Sequence, residues 1–146
     1  MTSEDPYAVG SLPREVVKAW VTMTLGHDRF HSRWPSKTVE DLKEKGLDPR
    51  EFRLKAVQQQ VTAALPVLVD WPDSKIDCFD LMYLESAAVV GTMLRLMREH
   101  EAVCLSVHDS IIVAQCHCDL AVQVLSAEYN KVVGVAPTLR VSPTGL

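Results

Sequence analysis

No apolar run in this 146-residue chain is long enough to cross a bilayer, so no membrane span is expected. The opening Met-Thr-Ser-Glu-Asp-Pro-Tyr carries neither a basic stretch nor an apolar core, and is not expected to act as a secretory leader. There is no glycine-rich phosphate loop, which leaves out P-loop nucleotide binding. There is no internal repeat and no low-complexity tract, which leaves out solenoids and disordered linkers. Four cysteines without framework-like spacing point to reduced thiols and a cytoplasmic location rather than a disulfide scaffold. A basic excess is also missing. The formal charge of −4 argues against a free-standing nucleic-acid binder.

The charge that is present is uneven. Residues 1–60 hold ten Lys+Arg against nine Asp+Glu, and residues 61–146 hold five against ten, giving +1 and −5. A nearly neutral part with local basic clusters joined to an acidic part suits a template-facing element beside a metal-binding one, and equally an ordinary acidic protein. The length allows one domain, or a domain with an appendage, able to bury a substantial core.

Residues 85–115 organise the chain. Val103 to Val107 is short, apolar and partly β-branched, Ile111, Ile112 and Val113 continue in the same manner, and His108-Asp109 separates the two runs. Two such runs around a two-residue break predict a tight β-hairpin. Asn-Gly or Asp-Gly would relieve the positive dihedrals of such a turn, yet here a His and an Asp occupy the tip. Strain kept at a tip usually has a use. A carboxylate held there between two strands, expected to be buried, is placed to bind a divalent metal.

Val107-His108-Asp109-Ser110 between apolar strands resembles motif C of the single-polypeptide polymerases, comprising the family A DNA polymerases and the phage-type RNA polymerases. Ser110 resembles the RNA polymerase side, where Ser follows the His-Asp; the DNA enzymes usually carry Glu. Upstream, Leu84-Glu85-Ser86-Ala87-Ala88-Val89-Val90 resembles the opening of the helix that precedes motif C. Arg14 and Lys18, four apart, resemble the start of motif B, whose helix binds the phosphates of the incoming nucleotide. The family's Tyr-Gly eight and nine residues after that Lys is Gly26-His27 here, so the aromatic that helps check sugar and base is missing.

The resemblance implies template-directed nucleotidyl transfer with Mg²⁺ or Mn²⁺ as cofactor. Asp109 would be the metal ligand, His108 would orient it or the primer end, and Arg14 and Lys18 would hold the triphosphate. Glu85, Ser86 and Ser110 would support the site. The implied partners are a nucleic acid primer/template and a nucleoside triphosphate. A motif A carboxylate before Arg14 is missing. Asp5 precedes Pro6 outside any strand-like run, and Asp70 is a weak substitute in a helical neighbourhood. The expected protein is therefore a fingers-plus-palm portion, cut from a longer protein or completed by a second chain, and prone to self-association through its unpaired sheet edge. The competing reading is a non-catalytic, polymerase-derived binding or assembly module; a weaker third is a helix-rich regulatory domain with a chance His-Asp hairpin.

Taken in order, residues 1–10 read as a mobile or extended lead-in. Ser11 is expected to cap a helix with Pro13 in its first turn, and Val16, Val17, Trp20, Val21 and Thr24 share its apolar face. Arg14 and Lys18 form a cationic pair on another face, either gripping phosphates or simply solvated. Between His27 and Lys37, aromatics interleave with basic residues, which suits base stacking or, more simply, Phe30 and Trp34 anchoring a loop in the core. Thr38 to Asp41 resembles a capping box for a helix ending at Gly46, and Asp48-Pro49 opens a helix running from Arg50 to about Ala64.

Residues 72–77 are the expected boundary between a helical region, 1–74, and an α+β region, 75–146, carrying the hairpin. A helix from Cys78 to Glu99, apolar nearly all round, should be buried between layers, with Glu85 its main polar exception. An amphipathic helix over 118–132 and a final short strand, Thr138 to Val141, complete an α+β architecture. Cys116-His117-Cys118 has adjacent ligands that fit tetrahedral zinc poorly. His27 and His31 lack the Glu of a His-Glu-x-x-His pattern. Ser106, His108 and Ser110 lie too close in sequence to suggest a nucleophilic triad.

Overall fold

The computed structural model describes residues 5–142, and the chain divides after Cys78 into two compact units. The first unit is helical. Its lead-in is docked rather than mobile over the described residues: Ala8 N–H donates to the Asp5 carbonyl at 3.1 Å, and Val9 is buried. Helix α1, Arg14–Leu25, follows Pro13, whose carbonyl accepts from Val16 and Val17 N–H. Pro13 sits at the helix boundary with no side-chain cap bond there, so Ser11 does not take the capping role expected of it. The buried face is the one the spacing predicts: Val16, Val17, Trp20, Val21 and Thr24 are all buried.

Helix α2, Ser36–Glu44, starts directly after Pro35, two residues before the expected capping box, and Thr38 and Asp41 lie inside it. Pro35 presets the backbone angle for helix entry, which explains the earlier start. At the other end, Gly46 at φ +77° donates to Lys43 O at 2.9 Å, and Leu47 N–H donates to Leu42 O at 2.9 Å. This is a Schellman closure, and it needs a residue that tolerates the left-handed region.

Asp48 caps a short 3₁₀ turn, Pro49–Glu51, by accepting from Arg50 N–H at 3.0 Å. The chain then extends through Phe52, so the expected long helix is broken and α3 covers only Leu54–Ala64. Trp20, Leu42, Val57, Val61 and Leu68 form the core of this unit. Phe30 stacks on Trp20 at a centroid distance of 6.0 Å, and Trp34 Nε1–H donates to Phe52 O at 2.9 Å. Both aromatics of the His27–Lys37 loop are therefore spent on packing.

The second unit is α+β. Helix α4, Cys78–His100, leads to strands β1, Cys104–Val107, and β2, Ser110–Val113, and then to helix α5, Cys118–Val133. The strands pair antiparallel, Cys104 opposite Val113 and Val107 opposite Ser110. Because side chains alternate, Cys104, Ser106, Ile111 and Val113 share one face. Of these, Cys104, Ile111 and Val113 pack on a core of Leu96, Ala102, Ala121 and Val124. Leu105, Val107 and Ile112 share the other face and are exposed. The strands are thus covered on one side only, not buried as expected.

Two further expectations are corrected. Helix α4 is not enclosed. Ala88, Val89, Thr92 and Leu96 form a single buried stripe, whereas Phe79, Met82, Tyr83 and Met97 are exposed. Among the described residues the sheet has two strands, and residues 138–141 join no ladder. Helix α5 buries Ala121, Val124 and Glu128, a narrower stripe than its run of valines and leucines suggests, and Gly134 at φ +85° closes it.

Glu128 is the acid in that stripe. Its carboxylate meets Arg95 Nη1 at 3.5 Å and Lys131 Nζ at 3.4 Å. Gly91 lies opposite, where an added Cβ would come within 3.0 Å of Glu128 Oε2. The glycine lets α4 accept the carboxylate, and two partly exposed cations balance its charge.

Candidate functional site

The hairpin forms as its spacing predicts, with His108-Asp109 as a two-residue tip closed by the Val107–Ser110 pair. His108 has φ +52°, and Asp109 is not in the positive region. A positive φ at the first tip position alone is the sign pattern of a type II′ turn, where glycine is favoured. Ser110 Oγ–H donates to Val107 O at 2.7 Å across the base of the turn, so Ser110 reinforces the tip. His108, Asp109 and Ser110 are all exposed, leaving the Asp109 carboxylate open to solvent.

Glu85 lies in the first half of α4 and is half-buried, while the neighbouring Ser86 is exposed. Glu85 and Tyr129 of α5 line a cleft of about 230 Å³ with Leu81, Met82, Leu84 and Val133. Tyr129 is half-buried there. Its pKa is raised, first by burial and then by the negative charges of Glu85 and Asp109. Both carboxylates therefore act on one phenol, since ionising it would add a third negative charge near the first two. Acids from α4 and from the hairpin tip thus both add negative charge at Tyr129. The sequence pattern marks Tyr129 as no more than one member of the apolar face of α5. Its spacing four residues after Leu125 carries no sign of this role.

Among the described residues no group of three or more His, Cys, Asp or Glu side chains is arranged to hold a metal ion. A cation at Asp109 would take one or two protein carboxylates and fill its remaining positions with water or phosphate oxygens. Mg²⁺ commonly binds in this way, because it dehydrates reluctantly. The exposed Asp109 side chain is unlike a ligand of a closed structural site such as tetrahedral zinc.

In the first unit, the two cations expected to work together are separated in role. Arg14 Nε–H donates to Asp5 Oδ2 at 2.7 Å, its Nη1 lies 3.4 Å from Glu15 Oε1, and its guanidinium sits 5.1 Å from the Tyr7 ring centroid. Asp5 is itself fixed by Tyr7 N–H at 3.0 Å. That backbone bond, followed by the bond from Arg14, lowers the Asp5 pKa. Lys18 instead lines a cleft of about 370 Å³ between α1 and α2, which Arg14 does not line.

No protein-family model matches the chain, and no match is found among curated proteins or solved structures.

Proposed function

We propose that this chain is part of a template-directed nucleotidyltransferase, with Asp109 and Glu85 as its metal-binding carboxylates. The observation that carries the reading is the exposed hairpin tip that presents Asp109 next to His108 at φ +52°, and Glu85 and Asp109 both add negative charge at Tyr129. Glu85 here takes the place of the motif A carboxylate that the sequence lacks. Two Mg²⁺ ions bound there would activate a primer 3′-hydroxyl and neutralise the leaving pyrophosphate. The protein's own part is positional. The hairpin tip exposes Asp109, Ser110 braces the turn, and His108, its neighbour in the chain, would orient the carboxylate or the primer end. Arg14 is reassigned to holding the lead-in through Asp5.

The test is incorporation of a labelled nucleotide on a primed template with Mg²⁺ or Mn²⁺. Wild-type protein should extend the primer, and Asp109→Ala should lose about a thousandfold or more of that rate, as removal of a group stabilising transition-state charge does. Extension that is indifferent to Asp109→Ala and Glu85→Gln would refute the assignment.

A second reading, a non-catalytic binding or assembly module, is favoured by a different observation. Leu105, Val107 and Ile112 form an exposed apolar sheet face, and among the described residues no third strand pairs with either sheet edge. Under that reading Asp109→Ala leaves partner affinity unchanged, whereas Leu105→Lys abolishes it. No helix among the described residues is long and apolar enough to cross a membrane.

A further inference from the structure

Helix α4 carries two apolar stripes, and among the described residues only one is covered. The first, Ala88, Val89, Thr92 and Leu96, is buried in the second unit. The second is Phe79, Tyr83, Ser86, Val90, Met93 and Met97, which follow one another in alternating steps of four and three residues. That is the spacing of a coiled-coil seam, sustained over nearly three heptads. Met93 is half-buried and the other five are exposed. The two stripes lie roughly 130° apart round the helix, at 3.6 residues per turn. A helix seated on the second therefore leaves the first in place. Side-chain size is graded along the row, from two rings through Ser86 and Val90 to two methionines. Asp80 and Arg98, both exposed, are eighteen residues apart, about five whole turns, and so share one flank of the stripe.

We propose that this stripe binds a second copy of the chain, with α4 packed antiparallel on α4 about a two-fold axis. The row is complementary to itself in that direction. Phe79 meets Met97 of the second copy, Tyr83 meets Met93, and Ser86 meets Val90. Rings against thioethers are favourable contacts, and the small central pair lets the helices approach closely. Asp80 then lies within one turn of Arg98 of the second copy. A parallel pair would instead set ring on ring and place Asp80 beside Asp80. The area suits a reversible dimer. Phe79 and Tyr83 are each 73% exposed, so at about 200 Å² per aromatic side chain the four rings of a pair offer roughly 600 Å². That is about half of the smallest stable specific interfaces, on the order of 1,200 Å². Val90, Leu94 and Met97, exposed by 52%, 38% and 54%, supply most of the remainder. The contact is separate from the sheet face of Leu105, Val107 and Ile112, and does not depend on the nucleotidyl-transfer reading.

The experiment is sedimentation velocity of the full chain over a concentration series, with urea unfolding of each variant beside it. A monomer–dimer equilibrium with a dissociation constant on the order of 1–10 μM is expected for an interface at the small end of the range. Val90→Glu should weaken it at least about a hundredfold, because the carboxylate would be buried against the second copy without a partner. Its unfolding midpoint should stay that of the wild type, since Val90 is half-exposed in the single chain. Val67→Glu, at an exposed apolar position of the first unit, should leave the dimer unchanged. Asp80→Lys and Arg98→Glu should each weaken the dimer about fivefold, the upper end for an exposed charge pair, and the two together should restore it. A chain that stays monomeric throughout the series overturns the proposal. So does a dimer indifferent to Val90→Glu, including one that Leu105→Lys dissociates, which would assign the contact to the sheet face. Charge variants that do not compensate contradict the antiparallel pairing and overturn it as well.

Discussion

Leu96 is the side chain on which the hairpin's position depends most. It is fully buried on α4, and its carbonyl accepts from Ala102 N–H at 3.0 Å where the chain turns from helix to strand. Its buried core partners are small: Ala102, Ala121 and Val124. Leu96→Ala removes three carbons, which at roughly 0.8 kcal/mol each costs about 2.4 kcal/mol in transfer free energy. Alanines cannot move inward to fill the gap, so a cavity contribution brings the expected loss to about 3–4 kcal/mol, within the range for buried Leu→Ala changes. The assay is native-state amide hydrogen exchange at Leu105, Val107 and Ile112, read beside urea unfolding followed by circular dichroism. Protection of the strand amides should fall with the stability of the unit. Trp20, Trp34 and Trp71 all lie in the first unit, so their fluorescence gives a separate record of that unit. A loss below about 1 kcal/mol, with strand protection unchanged, would refute the placement of Leu96 as the anchor of the hairpin.

Tyr129 offers a titration test. Its raised pKa means that the folded state holds the phenol proton more tightly, so this contribution to stability is complete below the ordinary tyrosine value near 10 and is lost as pH rises through the folded value. Asp109→Asn and Glu85→Gln should each lower the Tyr129 pKa, measured by phenolate absorbance in a Tyr7→Phe, Tyr83→Phe background; no change in either variant would mean that the acids do not face the phenol. His108→Gly should stabilise the tip by up to about 1 kcal/mol in thermal unfolding, since glycine adopts a positive φ without the Cβ penalty. A loss of stability would show that the imidazole makes a compensating contact. Gly46→Ala should destabilise by about 1–2 kcal/mol, because φ +77° is required by the α2 closure although no atom lies within 4 Å to clash.

The α+β class and the hairpin were legible because both rest on local rules. Two short apolar, partly β-branched runs around a two-residue break specify a hairpin whatever surrounds it. The buried face of α1 was equally readable from its 3.6-residue period. Failures arose where tertiary context decides. An all-round apolar composition predicts an enclosed α4, but enclosure needs neighbours on every side, and only the Ala88–Leu96 stripe has them. Thr38 and Asp41 make a good local cap, but Pro35 starts the helix first.

The site divides along the same line. Asp109 was readable as an exposed tip carboxylate, and Glu85 as a polar exception on an apolar helix. That both add negative charge at Tyr129 depends on how α4, the hairpin and α5 pack, which no sequence spacing encodes. Arg14 and Lys18 share a helical period of four, yet Asp5 captures the arginine from a segment that has no periodic pattern. A charge pair on one helix face says nothing about which member another segment will claim.

The most direct measurement is Mn²⁺-induced relaxation of the amide and side-chain signals of the second unit. If Asp109 and Glu85 share a metal site, broadening should concentrate at Glu85, His108, Asp109, Ser110 and Tyr129, and vanish in Asp109→Ala. Broadening spread evenly over exposed acids, or absent from Glu85 and Tyr129 while present elsewhere, would contradict the two-carboxylate site and leave the hairpin as a binding element alone.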